Sequence, residues 1–478
     1  MQSCIGSFFL AIGGKVWYTD RGMDQRKGGF VLENEKTERK SAANGKNGED
    51  RVILHCDCNS FFASVETVLN PSYRGVPMAV CGSEEDRHGI VLAKNEEAKA
   101  YRIETAETVW SARKKCPHLL TVPPHYEAYV DFSKRINAIY DRFTDLVEPF
   151  SIDESWLDVT ASQKLFGSGE EIAECIRRAV KEEIGVTVSI GVSFNKMFAK
   201  IGSDYKKPDA ITVISRENFR QIIYPMSVDS MMYVGARTAA ELRALGIRTV
   251  GDLAAASPSY LASRLGKNGE MIHRWALGMD DSPVRPREER SAPKSVGNGM
   301  TFRRDLVLAE EIRVGVEALS EEVAARLRAV GMQASTVSVS VKDTLLQTTS
   351  RQMSLPHPTN LARELGEAAF RLLIGTWNVG RPIRAITVTA MQLVAEGEGG
   401  EQLSLFSEER DRRHERTERL EHTVDRIRGR FGNAAIATGA VLGSDFGAEP
   451  TVRRDHGDSE DGEGLCERDK KAKKSRSV

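Results

Sequence analysis

The stretch Ser151-Ile152-Asp153-Glu154-Ser155-Trp156-Leu157-Asp158 sets two adjacent carboxylates in the middle of a strand-like run. Val147 and Phe150 precede it and Val159 follows, so β-branched and aromatic residues favour an extended chain or a tight hairpin around the acids. Two anions side by side in a half-buried hairpin repel each other and call for a cation, and oxygen-only ligands suit a hard one such as Mg²⁺. A third carboxylate stands upstream. The run Arg51-Val-Ile-Leu-His-Cys-Asp57-Cys58-Asn59-Ser60-Phe61-Phe62 is apolar, ends on an acid and opens into a helix, which puts Asp57 at a strand end facing a crevice. Two strands of one sheet that carry such acids can hold a pair of metal ions about 3.5–4 Å apart, the arrangement used in phosphoryl and nucleotidyl transfer. The plain alternative is that each acid is an ordinary turn residue; the combination argues against it.

Working outward, 478 residues suffice for about three domains of ordinary size. A hydrophobic content of 40% and a charged content of 28% are those of a globular protein. The net charge of −1 and a pI near 6.8 mean that any nucleic-acid-binding basic surface must be local. Seven scattered cysteines, with no Cys-x-x-Cys pair, argue against a disulfide framework or a zinc site and point to a reducing cytoplasm. Cys56 and Cys58 read as small apolar filling beside Asp57. The apolar patch Cys4–Gly14 lacks a basic flank and is too short to cross a bilayer, so no membrane association is expected. Residues 1–50 read as a disordered extension, with initiation at Met23 an expectation that N-terminal sequencing checks.

From Arg51 onward strands and helices alternate: strands at 76–81, 90–93 and 186–193, amphipathic helices at 126–146 and 171–183, and a helical region over 216–285. Ser282–Arg290 is a charged, Pro-interrupted linker. Beyond it come strands at 335–342, 346–353 and 384–393 and helices at 308–330 and 359–375. After Val394 the composition changes to a Gly/Glu stretch, the pentapeptide Gln402-Leu403-Ser404-Leu405-Phe406, a helix at 410–430 and a basic end.

Three segments, HCDCNSFFASVE (55–66), SIDESWLDV (151–159) and SIGVSFNKMFAKIGSDYKKP (189–208), resemble in order, spacing and flanks the Y-family DNA polymerases, close to the bacterial DNA polymerase IV branch. The likeness extends over roughly residues 51–395. It implies an α/β multidomain, right-hand polymerase: palm at 51–61 and 126–215, fingers at 62–125, and a helical thumb at 216–285 with a helix-hairpin-helix-like segment around Val234-Gly235-Ala236. A linker at 286–293, an α+β little finger at 294–395 and a flexible tail at 396–478 follow. It implies template-directed addition of deoxynucleotides to a primer 3′-OH, with translesion synthesis and no proofreading. Asp57, Asp153 and the Cys58 carbonyl would hold two Mg²⁺ ions, with Glu154 completing the site beside the primer terminus.

By the same resemblance Phe62 is the steric gate whose ring excludes a ribose 2′-OH. Lys207 would reach the triphosphate, while Lys196, Lys200 and Lys206 read as a solvated or DNA-facing helix surface. Where many relatives carry a Tyr and an Arg against the triphosphate this chain has Glu96 and Lys99, and Asn59 replaces a common Asp. Lys99 keeps a charge without the guanidinium fork. Arg303, Arg304, Lys342 and Arg351 are candidate DNA-phosphate contacts. Gln402, Leu403, Leu405 and Phe406 match the peptide that docks bacterial polymerases to the sliding clamp. The implied partners are primer–template DNA, deoxynucleoside triphosphates and that clamp, and a monomer is expected. Two rivals remain: a nucleotidyl cyclase built on a similar palm, and a noncatalytic adaptor, for which loss of the carboxylates would be the signature.

Overall fold

The computed structural model describes residues 50–397 and 408–447, apart from a few positions among 85–88, 288–291, 379 and 440–443. The expected disordered extension, save Asp50, and the clamp peptide 402–406 lie outside the described residues. The chain divides into two compact units, one ending at Pro293 and the other beginning at Lys294.

In the first unit β1 (Ile53–Cys58) is buried along its whole length. It leads through Ser60, in the left-handed region at φ 48°, into α1 (Phe61–Leu69). Next come β2 (Met78–Cys81), β3 (Val91–Lys94), α2 (Glu96–Ala100), α3 (Val109–Lys115) and β4 (Leu120–Val122), the strands forming a small sheet in the order β3-β2-β4. The main sheet uses β1 with β5 (Val147–Pro149), β6 (Glu154–Asp158), β7 (Val188–Ser193) and β8 (Ile211–Ile214), in the order β5-β6-β1-β7-β8. Its core face is covered by α4 (Tyr126–Tyr140) and α6 (Gly169–Ala179), after the short α5 (Gln163–Phe166). The helix expected over 126–146 stops at Tyr140, because Thr144 donates to the Asp158 carbonyl at 2.7 Å and turns the chain back into the sheet as β5.

The opposite face takes α7 (Lys196–Tyr205), and here glycine decides the geometry. A Cβ on Gly191 of β7 would stand 1.9 Å from the Ala199 carbonyl oxygen, so only glycine lets α7 lie this close to the strand. The remainder is helical: α8 (Phe219–Ile223), α9 (Ala236–Ala244), α10 (Val250–Ala255), α11 (Pro258–Leu265) and α12 (Lys267–Ala276) around a second core. Gly235 caps α9, Gly246 turns the chain at φ 82°, and Thr249 with Asp252 forms a capping box for α10. The charged stretch after α12 is tied down rather than loose: Arg51 donates to the Asp280 and Ser282 carbonyls and Arg287 pairs with Asp141.

The second unit is a four-stranded antiparallel sheet, β11-β10-β12-β9, under two helices. Its elements are β9 (Ser295–Leu306), α13 (Ala309–Ala329), β10 (Met332–Asp343), β11 (Thr348–Thr359), α14 (Ala362–Thr376) and β12 (Ile383–Ala395). β9 has no sequence counterpart among the expected strands, since Gly297, Asn298 and Gly299 interrupt its apolar pattern. Those glycines leave room for Thr389 and Thr387 of β12, whose Oγ1 atoms would lie 2.8 and 2.4 Å from added Cβ atoms. β11 runs through Pro356 and Pro358, which an edge strand tolerates because one side of its backbone has no ladder partner.

The tail needs correction. The helix expected at 410–430 forms as α15 (Glu408–Phe431), but it docks on the second unit instead of hanging free, and the segment after it returns there too. Val441 and Phe446 enter the core, and the buried Arg328 of α13 pairs with Glu421 and Asp425 of α15. An arginine fork engaging two carboxylates at once supplies what the low hydropathy of the segment could not announce.

Candidate active site

Antiparallel register places Asp57 of β1 directly opposite Glu154 of β6. The first strand carries its acid one residue before its end and the second begins at its own, so both carboxylates emerge at one end of the paired strands. Asp153 sits in the half-buried turn just before, where its Oδ1 accepts the Ser151 hydroxyl at 2.6 Å and its carbonyl accepts the Cys58 N–H at 3.0 Å. Asp153 makes no ion pair among the described residues. The neighbouring thiols of Cys56 and Cys58 are pushed up by burial, in keeping with their place as core filling.

Two ammonium groups hold the acids. Lys200 Nζ lies 3.0 Å from Asp57 Oδ2, 2.8 Å from Glu154 Oε1 and 3.2 Å from Asp204. Lys207 Nζ lies 2.7 Å from Asp57 Oδ1 and 2.8 Å from Asp204. Burial would raise Asp57, yet Lys200, a hydrogen bond with Glu154 and Lys207 together outweigh it and hold the carboxyl down at about 2. Burial pushes Glu154 up against the pull of Lys200, and it pushes Asp153 up as well. Beneath Glu154 lies the wholly buried His55, with Nδ1 2.8 Å from the Ser203 hydroxyl and Nε2 3.8 Å from Glu154 Oε2. Burial keeps its imidazole well below the usual range, so it is neutral.

The lysines therefore divide differently from the sequence expectation. Lys207, expected at the triphosphate, stands against Asp57 and Asp204. Lys200 reaches Asp57 too, and Lys196 is buried, paired with Glu148 at 2.8 Å and 4.3 Å from the centre of the Trp156 ring. Helical spacing explains this: Lys196 and Lys200, four apart on α7, share the face that Gly191 draws onto the sheet. That face could have been read from the Phe198, Ile201 and Gly202 pattern only if the side bearing the lysines were known to meet acids.

Asn59 also has a role the sequence did not reveal. Its amide donates to Ser189 at 2.9 Å, while its oxygen accepts the Thr187 hydroxyl at 3.0 Å and the Asp209 N–H at 2.9 Å. It pins the turn that carries Lys207 to the end of β1. Phe62 lies on α1, nearly buried, with its ring stacked on Tyr129 at 4.1 Å. Lys99 is engaged elsewhere: its ammonium pairs with Glu96 at 2.6 Å, one turn away on α2.

Residues 56–204 match the impB/mucB/samB family and residues 293–405 its C-terminal domain. DNA polymerase IV of Acetivibrio thermocellus is 45% identical over 392 residues, covering 82% of this chain and 98% of that protein. DNA polymerase IV of Moorella thermoacetica is 40% identical, covering 81% and 95%, and DNA polymerase IV 2 of Bacillus subtilis is 38% identical, covering 82% and 95%. Among solved structures the Y-family DNA polymerase chimera Dbh-Dpo4(243-245)-Dbh aligns with a TM-score of 0.64 at 25% identity, over 72% of this chain and all of the chimera. The chain belongs to the Y-family DNA polymerases. It is a DNA-directed DNA polymerase of the translesion type, acting on DNA and nucleotides. As a Y-family polymerase it has the right-hand fold with a β-rich C-terminal domain. Among the described residues no helix is long and apolar enough to cross a membrane.

Proposed function

We propose that this Y-family polymerase extends primers by nucleotidyl transfer at Asp57, Asp153 and Glu154, and that its regions serve as palm, fingers, thumb and little finger with the boundaries given above. The observation that carries this reading is the facing register of Asp57 and Glu154 around the Lys200 ammonium. A cation already bridges these oxygens, and a set of oxygen donors with a cation between them fits hard divalent metal ions. Asp57, Asp153 and the Cys58 carbonyl would hold two Mg²⁺, with Glu154 beside the primer terminus. Bound there, the ions would polarise the phosphate and lower the pKa of the attacking hydroxyl.

The chain's own groups do the rest. Lys200 and Lys207 hold the carboxylate oxygens at 2.7–3.0 Å, and Lys207, the more exposed of the two, would be placed to meet triphosphate oxygens as a point charge. Phe62 closes the sugar side of the crevice against a 2′-hydroxyl. Lys99 contributes little, because Glu96 already neutralises it. Gln402, Leu403, Leu405 and Phe406 dock the sliding clamp, two apolar anchors filling a pocket on the partner. No proofreading site is assigned, and the enzyme works as a cytoplasmic monomer.

Single-nucleotide primer extension with Mg²⁺, on undamaged and abasic templates, tests this with the native chain and Asp153→Ala. Extension by the native chain that is lost in the variant supports the assignment. Equal extension by both would place the chemistry elsewhere, and product formed without primer or template would favour a cyclase.

A further inference from the structure

Phe62 and Glu66 lie one turn apart on α1, and His125 and Tyr129 are spaced the same way at the start of α4. The two pairs meet face to face. The Phe62 ring stacks on the Tyr129 ring with centroids 4.1 Å apart and 11° between planes, and Tyr126 closes on both rings edge-on at 5.9 Å. Four residues along, Tyr129 Oη donates to Glu66 Oε1 at 2.5 Å, and His125 Nδ1 lies 2.8 Å from the same oxygen. Glu66 is only 3% exposed, a carboxyl buried inside an otherwise apolar helix contact. Such a group is costly unless its partners are fixed, so a carboxyl here holds its donors in one place.

The consequence falls on Phe62. A phenylalanine ring at the edge of a crevice excludes a hydroxyl only if it cannot move aside, and its stacking partner is what stands behind it. Tyr129 is held in turn by its own hydroxyl. We propose that Glu66 is a positioning residue for sugar discrimination: by holding the Tyr129 hydroxyl, with His125 as second donor, it locks the ring that backs Phe62 and so keeps ribonucleotides out. This rests on the reading of Phe62 as the steric gate. It adds a determinant that touches neither nucleotide nor metal, one turn along α1 from Phe62.

The test uses the full chain in single-nucleotide insertion opposite a template guanine, comparing kcat/KM for dCTP and CTP. Glu66→Ala should raise the CTP:dCTP ratio roughly three- to tenfold, the scale of losing one buried hydrogen bond. Glu66→Gln, which keeps an acceptor for the phenol, should hold the ratio within about twofold of native. Tyr129→Phe keeps the stack and removes only the donor; it should move the ratio the same way as Glu66→Ala, which keeps the test usable if the alanine variant folds poorly. A purely structural role would lower both substrates together and leave the ratio alone. An unchanged ratio in both Glu66→Ala and Tyr129→Phe, with a raised ratio in Phe62→Ala, overturns the proposal and leaves the gate intact. An unchanged ratio in Phe62→Ala overturns the gate and the proposal with it.

Discussion

Replacing Lys200 by methionine keeps the aliphatic stem of the side chain and removes its charge. Its ammonium stands 3.0 Å from Asp57 and 2.8 Å from Glu154, with all three side chains less than a fifth exposed. At an effective dielectric constant of about 20 each contact has a gross Coulomb energy of about 5–6 kcal/mol. Desolvation of the ions offsets much of this, and removing one partner of a buried pair costs about 3–5 kcal/mol. Two features reduce the loss here. Lys207 remains 2.7 Å from Asp57, and burial already pushes Glu154 from 4.5 up to about 8 against the pull of Lys200. Glu154 thus already carries its proton at neutral pH and keeps it without the lysine, so no unpaired anion is left there. The net loss at neutral pH without divalent metal should be about 2 kcal/mol. A carboxyl raised on folding binds a proton that the unfolded chain has released, so its contribution is full below the unfolded value and fades as pH rises through the folded one. Both chains keep the proton on Glu154 well below about 8, and only the native chain gains the Lys200 pair as the carboxyl ionises there, so the deficit of the variant should widen between about pH 7 and about pH 9. Urea unfolding of the full chain in chelator measures it, and added Mg²⁺ should restore more stability to Lys200→Met than to the native chain. Coincident unfolding curves in chelator at both pH values would refute the reasoning.

Gly191→Ala forces a Cβ to within 1.9 Å of the Ala199 carbonyl and 2.5 Å of the Ser203 nitrogen; it should cost at least about 2–3 kcal/mol in urea unfolding and lower primer extension, because α7 carries Lys200. Arg328→Met leaves Glu421 and Asp425 facing a buried surface without their cation, so the second unit should lose about 3 kcal/mol and α15 should gain cleavage sites in limited proteolysis that the native chain does not show. Lys99→Ala should raise the KM for nucleotide by no more than about threefold, since an exposed pair one turn apart is worth little. Lys207→Ala should raise the same KM by about tenfold or more. Equal effects of the two substitutions would mean that Glu96 releases Lys99 when nucleotide binds.

The sequence made the acids legible because their signal is local. An apolar run ending on Asp57 and a hairpin carrying Asp153 and Glu154 each announce a strand terminus, and the pairing needs only that the two strands be neighbours. Lys207 was singled out through the resemblance; it stands in the turn between α7 and β8, where its ammonium meets Asp57. Lys200 was not, because whether a helical lysine faces solvent or acids depends on which side of α7 meets the sheet, and Gly191 settles that from another element. Asn59 was hidden likewise: its partners Ser189, Thr187 and Asp209 are more than a hundred residues away and carry no pattern of their own. The docking of 408–447 escaped because charge, not hydrophobic periodicity, fastens α15.

These misses share one physical origin, and it bears on how the site works. The groups at the site that sequence reading overlooked, Lys200, Lys196 and Asn59, are polar, distant in sequence from their partners and engaged with an acid or with the loop that carries one. Lys200, Lys207 and Asp204 form a charge-balanced set around Asp57 and Glu154 that lets three carboxyls stand together before any substrate arrives. A site assembled only from acids would repel itself, raise its own pKa values and lose the anionic oxygens that a metal needs. Cations supplied on a flexible four-carbon stem solve this without filling the site for good, since an ammonium can swing away where a guanidinium fork would hold on. The lysines of α7 and of the turn after it thus help to keep Asp57 ionised in its buried position, and on the function proposed above one electrostatic balance sets both the stability of this cluster and its affinity for metal.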